Sequence, residues 1–248
     1  MKKTPILLAG LLLMGTTLLF ASGLAEPRGR GYQGNGYQGN GGSSSAGAST
    51  VDLDALFAQE VAKLPKDALS PPEKEGLLYM REEEKLARDV YLFLGEKFNA
   101  RAFLNIAESE QTHMAYVKVL LDKYGIPDPV GSNPRGVFTN PEFTILYKEL
   151  TQQGSVSIGE AYKVGMLIEE LDLADLDRVL KETDNADIRI LYQNLAKGSR
   201  NHLRSFSRQI EREAVTYKPV HISSSLYSKI LSTPQEGGGL ILDPNFAF

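Results

Sequence analysis

The chain predicts an all-α fold: a four-helix bundle of two antiparallel helix pairs with a long crossover, plus short flanking helices. Three observations carry this. Four long segments place apolar residues at the 3-4-3-4 spacing of one buried helix face. Capping signals and Gly or Pro stops separate those segments. No stretch alternates with period two for long enough to make a convincing strand.

Residues 1–25 read as an export signal, with Lys2 and Lys3 before an apolar run from Ile6 to Phe20 and small residues at Ala21-Ser22-Gly23. The alternative is an uncleaved membrane anchor, since apolar character continues to Ala25. Either way the folded part is expected in the periplasm or outside the cell, with no stable membrane insertion once the signal is cleaved. Residues 26–50 hold GYQGN twice in tandem and then GGSSSAGAST, a composition that cannot bury enough surface to offset its ordering entropy. They read as a disordered linker.

The helical part spans 51–217. Asp52 to Leu64 forms a short amphipathic helix ending at Pro65. Ser70-Pro71-Pro72-Glu73 is an N-cap, a first-turn Pro and a capping-box acid, opening a helix to Phe98. A tight Asn99-Ala100 connection leads into the next, which stops at Gly125-Ile126-Pro127. Residues 126–139 form a Pro/Gly/Asn loop, and a short helix from Asn140-Pro141-Glu142 closes near Gly154. Ser157-Ile158-Gly159-Glu160 starts a helix to Lys181, offset or kinked in its last turns. Asp184 to Asp187 caps the final long helix, to about Glu213. The tail, 218–248, is weakly patterned, and its docking stays open.

Removing the signal leaves 25 basic against 31 acidic residues, which argues against general nucleic-acid binding. Without cysteine there is neither disulfide nor thiolate, so any metal must use Asp, Glu or His. That makes the stripes informative. Phe103, Ile106, Glu110, His113, Val117, Leu120 and Tyr124 share one face, placing a carboxylate and an imidazole one turn apart in a core stripe. Buried charge is costly unless paired or bound to metal. The first long helix reads Leu77, Met80, Glu84, Ala87, Tyr91, Leu94, Phe98; the third, Tyr162, Met166, Glu169, Leu173, Leu176, Leu180; the fourth, Ile188, Tyr192, Leu195, Ser199, His202, Phe206. Each of the first and third carries one acid, and His113 and His202 sit mid-helix on different rods. Oxygen and nitrogen donors of this kind suit Fe, Mn or Zn. The structural alternatives are a Glu84 paired to Arg81 or Arg88 and a satisfied core His202. Tyr91, Tyr162 and Tyr192 on the stripes read most simply as core, though a tyrosine beside a redox metal could shuttle electrons or hold a ligand's orientation. Glu82, Glu83, Arg200 and Arg204 read as solvated faces or capping charges. His221 lies outside the bundle.

The run Glu84-Lys-Leu-Ala87-Arg88-Asp-Val-Tyr91 followed by Ile106-Ala107-Glu108-Ser-Glu110-Gln-Thr-His113 resembles the first helix pair of rubrerythrins and other ferritin-like di-iron proteins. More closely, REEEKLARDVY, AESEQTH, IEELDLADL and GSRNHLRSF resemble an uncharacterised prokaryotic ferritin-like family, domain of unknown function 2202. The likeness runs from Leu69 to Glu213 and is more specific in the first helix pair than in the second. It implies a ferritin-like bundle with di-metal ligands at Glu84, Glu110, His113, Glu169 and His202. Where the pattern places the acid of a second Glu-x-x-His, this chain has Ser199-Arg200-Asn201-His202. A di-iron site is therefore one carboxylate short unless Glu170, Glu160 or water fills in.

The leading expectation is an exported di-metal protein, with iron first and Mn or Zn as alternatives, that oxidises Fe(II) or consumes peroxide or O₂. Lacking a Cys₄ electron-transfer module, it would need an external electron donor. The other readings are a non-catalytic metal-sequestering module, which the missing fourth-helix acid favours, and a structural helical domain without metal. A homodimer stays open; a ferritin-type cage fits poorly with the long linker and tail.

Overall fold

The computed structural model describes residues 53–248. The expected export signal and the whole of the expected linker lie outside the described residues. Among those described there are seven helices and no strand: α1 (Leu53–Ala62), α2 (Pro71–Phe98), α3 (Arg101–Tyr124), α4 (Pro141–Gly154), α5 (Ile158–Lys181), α6 (Ala186–Arg212) and α7 (Ser224–Ser232). The bundle consists of α2, α3, α5 and α6. Helix α2 packs on α3 and α5 on α6, and the pairs meet through α2 with α5 and α3 with α6. Within the crossover, α4 bridges α2 and α5, while α1 rests on α3 and α7 on α6.

Local chemistry sets the boundaries. Ser70 accepts from the Glu73 amide and the Glu73 side chain accepts from the Ser70 amide, a complete capping box. Asn99, at φ 49°, ends α2 in the left-handed region that Asn tolerates, so the chain reverses within two residues. Gly125, at φ 69°, ends α3 the same way. Helix α5 runs unbroken to Lys181, without the expected offset. Helix α6 starts at Asn185, whose amide group donates to Glu73 instead of capping its own helix. One buried acid thus ties the starts of α2 and α6 together.

The expectation that Glu82, Glu83, Arg200 and Arg204 face solvent is overturned: all four are buried. The crossover and the tail lie over the helix faces that would otherwise be wet. Glu82 accepts from the backbone amides of Thr139 and Asn140. Arg81 forks onto Asp128 and donates to the Met114 carbonyl. Lys85, fully buried, pairs with Asp89, donates to the Pro134 carbonyl and sits over the Phe138 ring. A buried charge persists only with such complete partnering.

The tail docks in the same manner. Asn194 exchanges two hydrogen bonds with the Ile241 backbone, and Arg189 and Gln193 both donate to the Pro244 carbonyl. Arg200 and Arg204 clamp Glu236, and the Phe248 ring stacks on the Arg200 guanidinium. Helix α7 inserts Ile230, which is fully buried. Its short length and serine-rich sequence hid it from periodicity.

Glu236 gives this docking a pH signature. Burial raises its pKa, but Arg200 and Arg204 outweigh burial and hold it below the ordinary carboxylate value. A depressed acid contributes stability above its unfolded pKa and loses it as pH falls through the folded one. The tail should therefore stay docked at neutral pH and loosen in acid. Glu236→Gln should loosen it at pH 7 and flatten the response, read as proteolytic cleavage within Gly237–Gly239. Equal protection of both proteins at every pH would refute the clamp.

Candidate metal centre

The turn at Asn99 sets α3 antiparallel to α2, which brings Glu84 opposite the Glu110–His113 pair. His113 Nδ1 lies 2.7 Å from Glu110 Oε2 and 3.2 Å from Glu84 Oε2. From the second pair, His202 Nδ1 lies 2.9 Å from Glu110 Oε1 and 3.5 Å from Glu169 Oε2. The two imidazole centroids are 5.4 Å apart. Glu84, Glu110, His113, Glu169 and His202 thus come together from four helices, every one of them buried. Glu110 occupies the middle, one oxygen toward each imidazole.

Glu160 and Glu170 lie elsewhere. Glu160 pairs with Lys163 in the first turn of α5. Glu170 is buried one helical step round from Glu169, and there it accepts from the Val220 and His221 amides of the tail. The alternative partner for Glu84 is also taken, since Arg81 holds Asp128 and Arg88 holds Asp89 and Gln111.

Burial and mutual charge govern protonation. Burial pushes Glu84 up to about 7 against the opposing pull of His113. Burial also opposes ionisation of Glu110, yet the two imidazoles prevail and hold it well below the carboxylate range. Against burial, Glu110 and Glu169 raise His202 to about 10, and Glu84 and Glu110 raise His113 well above its usual value. Glu169 is raised by burial and by Glu110. The protons here therefore belong to a coupled set rather than to single residues.

The donor set fits a divalent cation. Among the described residues, Glu110, His113 and His202 each offer one ligand atom within 4.8 Å of the others. Glu84 Oε1 is buried without a hydrogen-bond partner. His202 Nδ1, although 2.9 Å from Glu110 Oε1, is not aligned on it for a hydrogen bond. Donors that converge without satisfying one another are what a coordinated ion resolves.

Three contributors, Ser109, Asp172 and Gly198, escaped the sequence, and a fourth, Tyr91, was placed on the stripe without its partner. Ser109 Oγ is 2.9 Å from His202 Nε2 and fixes the outer edge of that ring. Tyr91 donates to Glu169 Oε1 at 2.6 Å; its position on the stripe was legible, its bond was not. Asp172 is buried beside Ser199. It lies three residues after Glu169, a spacing that would have flagged it had the stripe not been drawn through Leu173. Gly198 has no side chain because the His113 ring fills its place: a Cβ there would sit 2.2 Å from Cε1 and Nε2.

Fold and site define an all-α bundle whose buried carboxylate–histidine group could hold a metal ion. The chain belongs to the family described as "Uncharacterized protein domain (DUF2202)", whose pattern matches residues 73–234. It is similar to uncharacterized protein MJ0754 of Methanocaldococcus jannaschii, 53% identical over 178 residues, covering 72% of this chain and 96% of that one. The crystal structure of hypothetical protein MJ0754 from Methanococcus jannaschii DSM 2661 is similar at TM-score 0.69 and 54% identity, covering 70% of this chain and 99% of that one.

Gly198→Ala tests the fit of the His113 ring. On propensity alone the change would stabilise a helix by roughly 1 kcal/mol. The ring cannot yield easily between Glu84 and Glu110, so overpacking should dominate and cost about 1–3 kcal/mol. Chemical unfolding of the metal-free protein should show a net loss. A net gain would mean that the ring has room.

Proposed function

We propose that this protein is an exported, ferritin-like member of its family that binds a non-haem di-metal centre, iron first, in its bundle core. There it would oxidise Fe(II) or consume O₂ or peroxide. The single observation that supports this reading best is Glu110, buried and directed by its two oxygens at imidazoles from two different helices. A structural ion pair needs one imidazole; two nitrogen donors converging on one bridging acid suit a cation.

Iron bound at this centre would supply one-electron transfer to oxygen or peroxide. The chain's own residues prepare the place. The Tyr91 hydroxyl orients Glu169, and Ser109 orients His202, so each ligand reaches the centre from a fixed direction. Tyr91, Phe103, Tyr162 and Phe206 stack beside the site and exclude water from that side. Both imidazoles, raised above their usual range by the carboxylates against burial, must give up a proton to coordinate, so binding would release protons and weaken as pH falls. Since the chain has no cysteine, reduction would depend on an external donor.

Anaerobic Fe(II) loading of the mature chain, followed by O₂, tests the reading. We expect stoichiometric metal by elemental analysis, with a near-ultraviolet charge-transfer band and rapid O₂ uptake, all lost in His113→Ala. Metal uptake without oxidation would leave a sequestering protein, and near-zero metal after loading would end the idea. The export signal and its linker are likewise proposed from residues 1–50. N-terminal sequencing of the cell-envelope fraction should find a chain beginning near Glu26; one still beginning at Met1 would point to an anchor.

A further inference from the structure

Resting on that metal-binding reading, we propose that Asp172 replaces the carboxylate missing from α6, so that the centre holds a second divalent cation between Glu84 and Asp172. The residue at the expected acidic position, Ser199, lies within hydrogen-bond reach of Asp172 Oδ2 and of the Leu195 carbonyl, the latter at 3.0 Å. The short side chain on α6 leaves room for a carboxylate from α5 and contacts it directly. Glu169 and Asp172 are three residues apart on one face, so α5 delivers two oxygens much as α3 delivers Glu110 and His113.

The uncommitted atoms point the same way. Asp172 Oδ1 and Glu84 Oε1 are both buried without a hydrogen-bond partner, in residues 7% and 3% exposed. Tyr79 meets Asp175 and Tyr91 meets Glu169, so the antiparallel register of α2 against α5 sets Glu84 level with Asp172. Burial, and next to it the Glu84 charge, raise the Asp172 carboxyl accordingly. The next acid along α5, Asp175, is already engaged by Tyr79 and Arg178. A cation between Glu84 and Asp172 would satisfy both orphan oxygens and relieve the repulsion between the acids. Oxygen-rich surroundings with an imidazole nearby suit Fe(II), Mn(II) or Co(II).

Anaerobic Co(II) titration of the mature chain, followed by visible absorption and elemental analysis, measures the number of cations bound. We expect two per chain in the wild type and one in Asp172→Asn, which keeps the shape and removes the charge. Ser199→Ala should keep both but weaken the second about tenfold to a hundredfold, as loss of an orienting partner does. Glu83→Gln is the control: Glu83 Oε2 is also buried and unpartnered, one step further along the same seam, and its loss should leave two cations. Circular dichroism and thermal unfolding establish that each variant folds.

Two cations at unchanged affinity in Asp172→Asn would overturn this assignment and leave the metal centre intact. Loss of a cation in Glu83→Gln would do the same, while one cation in both wild type and variant would overturn it together with the two-metal form of the reading it rests on. No cobalt in the wild type would instead sink the metal-binding reading beneath it.

Discussion

Everything at the heart of this bundle depends on keeping the Glu110 carboxylate ionised where water cannot reach it. A lone carboxylate in such surroundings would take up a proton. Two imidazoles, from α3 and α6, approach its two oxygens and prevent that. The cost is geometric, because each helix must present one residue at one level. The reversal at Asn99 and the bare backbone at Gly198 serve that requirement. Glu84, Glu169 and Asp172 are all raised, first by burial and then by neighbouring carboxylates, because the imidazoles offset one full negative charge well, not four.

The outer faces of the same helices solve a related problem. Helices α2 and α6 carry Arg81, Glu82, Lys85, Asp89, Arg200 and Arg204, too many charges for a core and too deeply covered for a surface. The crossover meets the first four, largely through backbone groups and Asp128, and the tail meets the last two through Glu236 and the Ile230 and Thr233 carbonyls. Outside α4 and α7 both covering segments are irregular. Their ordering entropy is offset by directional bonds to fixed rods together with apolar burial at Phe138, Phe143, Leu150 and Ile230. In a chain without cysteine, these clamps do the fastening that disulfides do elsewhere.

How much of this the sequence disclosed follows from what periodicity can carry. The four rods, their caps and the inward aim of Glu84, Glu110, His113, Glu169 and His202 are all consequences of local spacing. Asp172 and Ser109 escaped because each lies one position off the stripe chosen for its helix, and a helix face in a bundle is wider than a single row of residues. Gly198 escaped for another reason: its role is an absence, visible only once the His113 ring is placed against it. The burial of Glu82 and Arg204 was illegible in principle. Their helix alone predicts a wet face, and only the path of the crossover and tail, a long-range outcome, covers it. Glu170 shows the same effect, since adjacency to Glu169 suggested a ligand and the tail made it an anchor.

A site built in this way need not be assembled by its metal. In small metal-dependent domains the binding free energy is the folding free energy, because few contacts exist without the ion. Here the aromatic cluster of Tyr91, Phe103, Tyr162 and Phe206 closes one side, touching the ligand set only through the Tyr91–Glu169 bond, and the Lys85 and Arg81 clamps hold the crossover. The protonated imidazoles stand in for positive charge, with Glu110 already between them. Loading would then exchange protons for a cation of similar total charge inside a fixed frame. Such an exchange favours reversible occupancy over a permanent structural ion.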